Sequence, residues 1–216
     1  MRYYGQHNNP QVDEYLHTEF FKETKNGLAI ECGAYDGLFI SSCKFFEEFL
    51  DWDIINIEAD PELYKKLIKN RSSCSNFNLA LTNKEQSGKT LEFKRVMSKK
   101  DDQILGLGGL YEDTDTQLTK IKRNFNVSSV SVKTTSYVDF SNQKISRDVD
   151  LFVLDVEGHE MSVLDGMYGS SYLPKVMCIE YPIVGLDKLT NKMEDLGYSF
   201  YSTVHNNAHY TLKSKK

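Results

Sequence analysis

No stretch of this 216-residue chain approaches the roughly 20 consecutive apolar residues that a membrane-spanning helix needs. The amino terminus, M-R-Y-Y-G-Q-H-N-N-P, lacks the apolar core of a secretory signal. Cysteine is sparse: Cys32, Cys43, Cys74 and Cys178 show no C-x-x-C spacing, which disfavours zinc ribbons and thioredoxin-like redox motifs. Cys32 and Cys178 lie in apolar runs and read as small buried hydrophobes. A soluble protein of a reducing, cytoplasmic compartment is expected. Excess basic charge is missing too. With 26 basic against 31 acidic residues and a net charge of -5, the chain has no general electrostatic footprint for nucleic acid. The basic cluster Lys213, Lys215 and Lys216 reads as a solvated terminus. Internal repeats and low-complexity segments are absent, and so is the G-x-G-x-x-G spacing that seats a pyrophosphate on a helix.

A hydrophobic content of 40% supports a packed interior, and the length fits one domain over residues 1–216. Strand and helix patterns alternate. The run from Gly27 to Cys32 predicts a first strand, Lys44 to Leu50 a helix with Phe45, Phe46, Phe49 and Leu50 at helical spacing, and Ile54 to Ile57 a second strand. Pro61 suits a first helical position, followed by the stripe Leu63, Leu67, Ile68. Phe77 to Leu81 predicts a third strand; Lys89 to Val96 and Val127 to Val138 alternate as half-exposed strands. Leu151 to Leu154 and Val176 to Ile179 are buried-strand runs, each followed by a helix: one patterned on Met161, Leu164 and Met167, the other over Leu186 to Leu196. Tyr198 to Val204 and Ala208 to Leu212 flank Asn206-Asn207 as a hairpin, with His205 and His209 facing solvent. Right-handed crossovers make the first five strands a parallel sheet with helices on both faces, edged by the antiparallel hairpin. Residues 98–126 read as a loop whose apolar, glycine-rich centre, Ile104 to Tyr111, either packs on the domain or serves as a substrate lid.

Three strand ends carry the chemistry. After the first strand, E-C-G-A-Y-D-G places Gly33 and Gly37 in a turn where glycine permits positive φ and close approach of a ligand. The second strand ends in Glu58, 25 positions after Gly33 (58 − 33), where a carboxylate can accept both hydrogen bonds of a ribose diol. The acid Glu31 in the turn would repel a diphosphate, so a cationic, phosphate-free adenosine compound suits it better than NAD; S-adenosylmethionine is such a compound. The strand Leu151 to Leu154 then stops in D-V-E-G-H-E, which crowds Asp155, Glu157, His159 and Glu160 around one glycine, at the strand end where open α/β folds bind ligands.

These segments, E-C-G-A-Y-D-G-L-F-I-S-S, I-N-I-E-A-D-P-E-L-Y-K-K-L-I-K-N-R, L-A-L and D-L-F-V-L-D-V-E-G-H-E-M-S-V-L-D-G, together with the opening Y-Y-G-Q, resemble the FkbM-type family of S-adenosylmethionine-dependent O-methyltransferases. The resemblance implies a Rossmann-like class I methyltransferase fold, an α/β architecture with a mostly parallel seven-stranded sheet. By position, Gly33, Tyr35, Asp36 and Gly37 would shape the methionine pocket, with Glu31 near the cationic groups. Glu58 would hold the ribose and Ala59 flank the adenine, with Asn78 and Ala80 near its ring. The segment 1–26 would border substrate access. Ser41-Ser42 stands where the family has a serine-asparagine pair, and His7 replaces the acid usual after Gln6, so contacts from those places, Ser41 included, depart from the pattern.

Methylation of an oxygen asks the protein to align a hydroxyl and take its proton. Alignment supplies up to roughly 7–11 kcal/mol and a placed base about 10²–10⁴-fold. His159 is the natural base, since its unperturbed pKa near 6.5 lies closest to neutral pH. Asp155, nearest the methyl donor, and Glu157 act as positioning groups, while Glu160 reads equally as first-turn helix chemistry. An alternative sets magnesium on Asp155 and Glu180. The leading expectation is an O-methyltransferase acting on a sugar or glycan, partnered with or fused to a glycosyltransferase. A methyltransferase of a non-sugar natural product and a noncatalytic cofactor-binding module of a glycan-assembly complex stand as alternatives. The length fits a whole protein or one domain of a larger polypeptide.

Overall fold

The structure is a computed structural model that describes residues 2–6, 8–112 and 115–213; His7, Lys215 and Lys216 lie outside the described residues. The chain begins α1 (Val12–Phe20), β1 (Leu28–Cys32), α2 (Lys44–Leu50), β2 (Asp53–Glu58), α3 (Pro61–Asn70), β3 (Ser75–Asn78), β4 (Ala80–Thr82) and β5 (Thr90–Met97). It continues α4 (Thr116–Asn124), β6 (Asn126–Ser136), α5 (Tyr137–Lys144), β7 (Leu151–Leu154), α6 (Glu160–Asp165), β8 (Val176–Glu180), α7 (Leu186–Asp195), β9 (Tyr198–Val204) and β10 (Asn207–Leu212). Seven strands form one sheet in the order β3-β2-β1-β7-β8-β10-β9, all running the same way except β10, which is antiparallel to both its neighbours β8 and β9. No helix among the described residues is long and apolar enough to cross a membrane.

Period-two alternation divides the central strands between two cores. Ile30, Cys32, Phe152, Leu154, Met177 and Ile179 face the layer of α5, α6 and α7. Ala29, Leu151, Val153, Val176 and Cys178 face α1 and α2. Phe45 and Phe46 of α2 are completely buried there, each worth about 1.5–3 kcal/mol. Asp60 caps α3 by accepting from the amides of Glu62 and Leu63, and Pro61 at the first position needs no partner for an N–H.

The first three elements after α1 follow the sequence pattern closely; the middle of the chain does not. The expected strand Phe77 to Leu81 breaks at Leu79. β3 stays in the main sheet, while β4 pairs with β6 in a separate sheet ordered β4-β6-β5. The Asn78 side-chain amide donates to the carbonyls of Glu58 and Ala59 at 2.8 and 2.9 Å, turning the chain out of the main sheet. The five parallel strands are therefore β3, β2, β1, β7 and β8, not the first five in chain order. The strand expected to reach Val138 stops at Ser136, whose hydroxyl accepts from the Asp139 amide and starts α5. Inside the expected loop 98–126, Asp115 caps α4, which buries Leu118 and Ile121. His209 is fully buried rather than solvent-facing, because β10 lies between β8 and β9 and turns that ring onto Tyr15, with centroids 4.8 Å apart. His205 is exposed.

Candidate active site

The carboxyl ends of β1 and β2 form a crease. Gly33 has φ +89, and a Cβ there would stand 1.8 Å from the Asp155 carbonyl oxygen, so only glycine lets the end of β1 pass the end of β7. Its amide and that of Ala34 donate to the Ile57 carbonyl. Tyr35, with φ 53, donates its amide to Glu58 Oε2 at 2.8 Å, and the Asp60 amide donates to Glu58 Oε1 at 2.7 Å. Burial pushes the Glu58 carboxyl up to about 8. Tyr35 also reaches across the crease, its hydroxyl donating to the Ile104 carbonyl at 2.6 Å.

Glu31 is buried beneath this turn. It accepts from the Ser41 hydroxyl at 2.8 Å and the Ser42 amide at 2.6 Å, with Arg71 Nη1 3.9 Å away. Burial raises its pKa and the Arg71 guanidinium opposes that rise. Ser41 Oγ also accepts from the Lys44 amide and from Arg71 Nη1, both at 3.1 Å. Ser41→Ala strips the buried Glu31 and Arg71 of a partner each and is expected to destabilise the protein by about 2 kcal/mol in urea unfolding, with an unchanged m-value.

The D-V-E-G-H-E run folds into a tight turn at the end of β7. Glu157 and Gly158 both take positive φ, 56 and 101. The turn is tied by Glu160, whose Oε1 accepts from the amides of Val156 and Gly158 at 3.1 and 3.2 Å, while its buried Oε2 has no partner. Glu160 thus braces the turn as well as opening α6. Asp155, Glu157 and Glu180 each present an oxygen within 4.8 Å of the others. Burial and mutual repulsion raise all three: Asp155 well above its ordinary value, Glu157 to about 8 and Glu180 to about 7. The Glu180 carboxylate is the largest of the charges that oppose ionisation of Asp155.

His159 departs from the premise that made it the expected base. Burial pulls its pKa down to about 4, so the ring is neutral at pH 7. Its Nε2 lies 3.2 Å from Thr82 Oγ1, whose own proton goes to Gln86 Oε1 at 2.7 Å. The ring accordingly donates through Nε2 and keeps Nδ1 as an acceptor.

A cavity of about 300 Å³ runs from the crease to the acids. Glu31, Gly33, Tyr35, Ser41, Glu58, Ala59 and Ala80 line it, and Asp155, Glu157, His159 and Glu180 close its far end. Three expected residues stand behind the wall. Asp36 accepts from the amides of Leu38 and Phe39, Gly37 packs against Leu67 and Arg71, and Asn78 holds the β3 exit described above. The segment 104–110 supplies one side of the cavity and is pinned to β5 by Met97↔Ile104 and Lys94↔Gly109 bridges, so it is packed and cavity-lining at once. Phe93 and Arg95 of β5 also line the cavity, and the Arg95 guanidinium grips Asp60 at 2.6 and 2.7 Å. Sequence reading missed both, because the alternation of β5 does not say which sheet it joins. A second cavity, about 280 Å³, adjoins the first and shares Leu110, Glu157 and His159 with it.

Residues 31–200 match the Methyltransferase FkbM domain. Among solved structures, methyltransferase FkbM from Methylobacillus flagellatus KT aligns over 92% of this chain with 12% identity and a TM-score of 0.51, and the chain spans 50% of that structure's length. A METTL16 methyltransferase domain aligns over 95% of this chain and 68% of its own, with 9% identity and a TM-score of 0.51. At such identities both likenesses concern the fold alone. No curated protein matches the chain. Since the family's domain covers well over half of its residues, the chain belongs to the FkbM-type methyltransferase family.

Proposed function

We propose that the protein is an S-adenosylmethionine-dependent O-methyltransferase whose acceptor is a hydroxyl of a sugar or glycan. The observation that carries this reading is the single cavity that joins the Gly33–Glu58 crease to the acids Asp155, Glu157 and Glu180. The crease suits the cofactor. Each Glu58 oxygen takes one backbone amide and keeps lone-pair capacity for a ribose hydroxyl. Ala59, Ala80 and Phe93 offer apolar wall for an adenine, and Glu31 and Asp155 favour a cationic methionine end. Asp36, Gly37 and Asn78 act from behind by fixing the turns. When bound, S-adenosylmethionine supplies an electrophilic methyl carbon on a sulfonium.

The chain's own task is to place a hydroxyl and accept its proton. Glu157 is the base in this reading: it lines both cavities, and a carboxyl titrating near 8 has the basicity the step needs. With S-adenosylmethionine bound to supply the methyl and keep the sulfur as S-adenosylhomocysteine, the Glu157 carboxylate would take the acceptor hydroxyl's proton. His159 positions the acceptor by receiving a hydrogen bond at Nδ1, and Asp155 with Glu180 holds the neighbouring charge. His159→Ala is expected to lower kcat about tenfold and leave S-adenosylmethionine affinity unchanged by calorimetry; an unaltered kcat removes His159 from the site.

Release of S-adenosylhomocysteine from a panel of free glycosides and nucleotide sugars tests the reaction, with calorimetry against S-adenosylmethionine and NAD. Cofactor binding without transfer to any hydroxyl would favour a binding module, and transfer only to non-sugar alcohols the natural-product alternative. The three carboxyl oxygens also suit an oxygen-coordinated magnesium ion. Turnover is expected to persist after exhaustive EDTA treatment, and loss restored by magnesium would transfer Asp155, Glu157 and Glu180 to the metal.

A further inference from the structure

We infer that the second cavity is the acceptor's seat and that it selects hydroxylated molecules without phosphate, neutral or amino-bearing, over their phosphorylated counterparts. The inference rests on the methyl-transfer reading above. The two cavities meet at Glu157 and His159, so a molecule in the second presents its hydroxyl to the proposed base and, beyond it, to the cofactor cavity. The other lining residues mix polar side chains, Asp115, Thr116 and Gln117, with the apolar or aromatic ones of Tyr111 and Ile183. That mixture fits a polyol, which carries hydroxyls on its edges and C–H on its faces.

Charge decides the selection. No lysine or arginine is among the described residues that line this cavity. The amino terminus of α4, which would otherwise welcome an anion, is already occupied: the Asp115 carboxylate accepts from the Gln117 amide at 2.7 Å. A phosphate here would meet the Asp115 carboxylate, and above neutrality that of Glu157 as well, with no cationic side chain among the described lining residues to offset them, whereas an ammonium would meet them favourably.

Ile183 gives the test. It is 41% exposed, and its Cγ2 stands 2.9 Å from where a Cβ on Gly158 would lie, so it sits at the cavity's edge without holding the core. Full-length protein loaded with S-adenosylhomocysteine is examined by saturation-transfer NMR against methyl glycosides of the common hexoses and pentoses, the corresponding amino sugars and the sugar phosphates. Neutral and amino probes are expected to bind at least tenfold more tightly than phosphates. Ile183→Trp, which fills the cavity, is expected to weaken them at least tenfold while S-adenosylhomocysteine affinity stays constant. Failure to bind S-adenosylhomocysteine at all overturns the methyl-transfer reading. Normal S-adenosylhomocysteine binding together with equal phosphate binding, no binding by any neutral or amino probe, or indifference to Ile183→Trp overturns the acceptor assignment alone.

Discussion

Glu157→Gln is expected to lower kcat by about 10²–10⁴-fold at pH 8, the contribution of a positioned base. The substitution keeps the side chain's size and leaves the positive-φ turn in place, so the loss falls on proton transfer rather than on folding. The wild-type pH profile carries the sharper signature. Because the Glu157 carboxyl is pushed up to about 8 by burial and by its neighbours Asp155 and Glu160, it holds its proton at pH 6 and releases it only above neutrality. Turnover should therefore climb about tenfold per pH unit below 8 and level off above it. In Glu157→Gln the residual rate should lose that limb. S-adenosylhomocysteine release between pH 5.5 and 9 measures both, and a variant with the wild-type limb intact would mean that another group takes the proton.

The second large effect concerns the ligand-free fold. Glu58, Glu157 and Glu180 titrate near 8, 8 and 7 when folded, whereas unfolded glutamate titrates near 4.3. Between those values the folded chain binds more protons than the unfolded chain, so stability falls as pH rises. His159 and His209, both pulled down to about 4 by burial, act with the opposite sign, but only below the ordinary histidine range. From pH 6.5 to 8.5 the carboxyls outweigh the fading contribution of the histidines, and the buried thiols, raised by burial, add to the fall at the upper end. Each pKa unit corresponds to about 1.4 kcal/mol, and the three together should remove on the order of 3–5 kcal/mol across that window. For a chain of this size that is a fall in Tm of about 10 °C or more. Calorimetric melts at pH 6.5, 7.5 and 8.5 read it directly. A flat or rising Tm would mean these carboxyls are not buried as protonated groups. S-adenosylmethionine should offset part of the fall, because a cation that binds only the folded state opposes the repulsion of the ionised acids.

What the sequence disclosed follows from which interactions are local. Strand β1, helix α2 and strand β2 are legible because Ile30, Phe45, Phe46 and Ile55 lie in short apolar runs bounded by glycine and acids, a pattern that survives even though Ile30 pairs with the distant Phe152. Glu58 and the Asp155–Glu157 pair are legible for a related reason, as charges at the ends of buried strands. The break at Leu79 is not, because it depends on the Asn78 amide meeting carbonyls 20 and 19 residues away. The low basicity of His159 is hidden for the same reason: the pocket that buries it, with Thr82 at its Nε2, is assembled only by folding. The roles of Asp36, Gly37 and Asn78, one step behind the cavity wall, are separable from those of Gly33 and Ala59 only in three dimensions.

The contact between residue 33 and the Asp155 carbonyl has a bearing on how such a protein diversifies. A Cβ at position 33 has no room beside that oxygen, so the Gly33–Glu58 crease and the acidic turn are held together backbone to backbone. Neither can drift without the other, and change in acceptor preference is channelled to sites that bear no such constraint. Thr116 and Ile183, both exposed and both on the second cavity, are of that kind. On the proposed reading, the reacting groups would sit on a backbone-locked block and the acceptor on a rim of side chains that no such contact constrains.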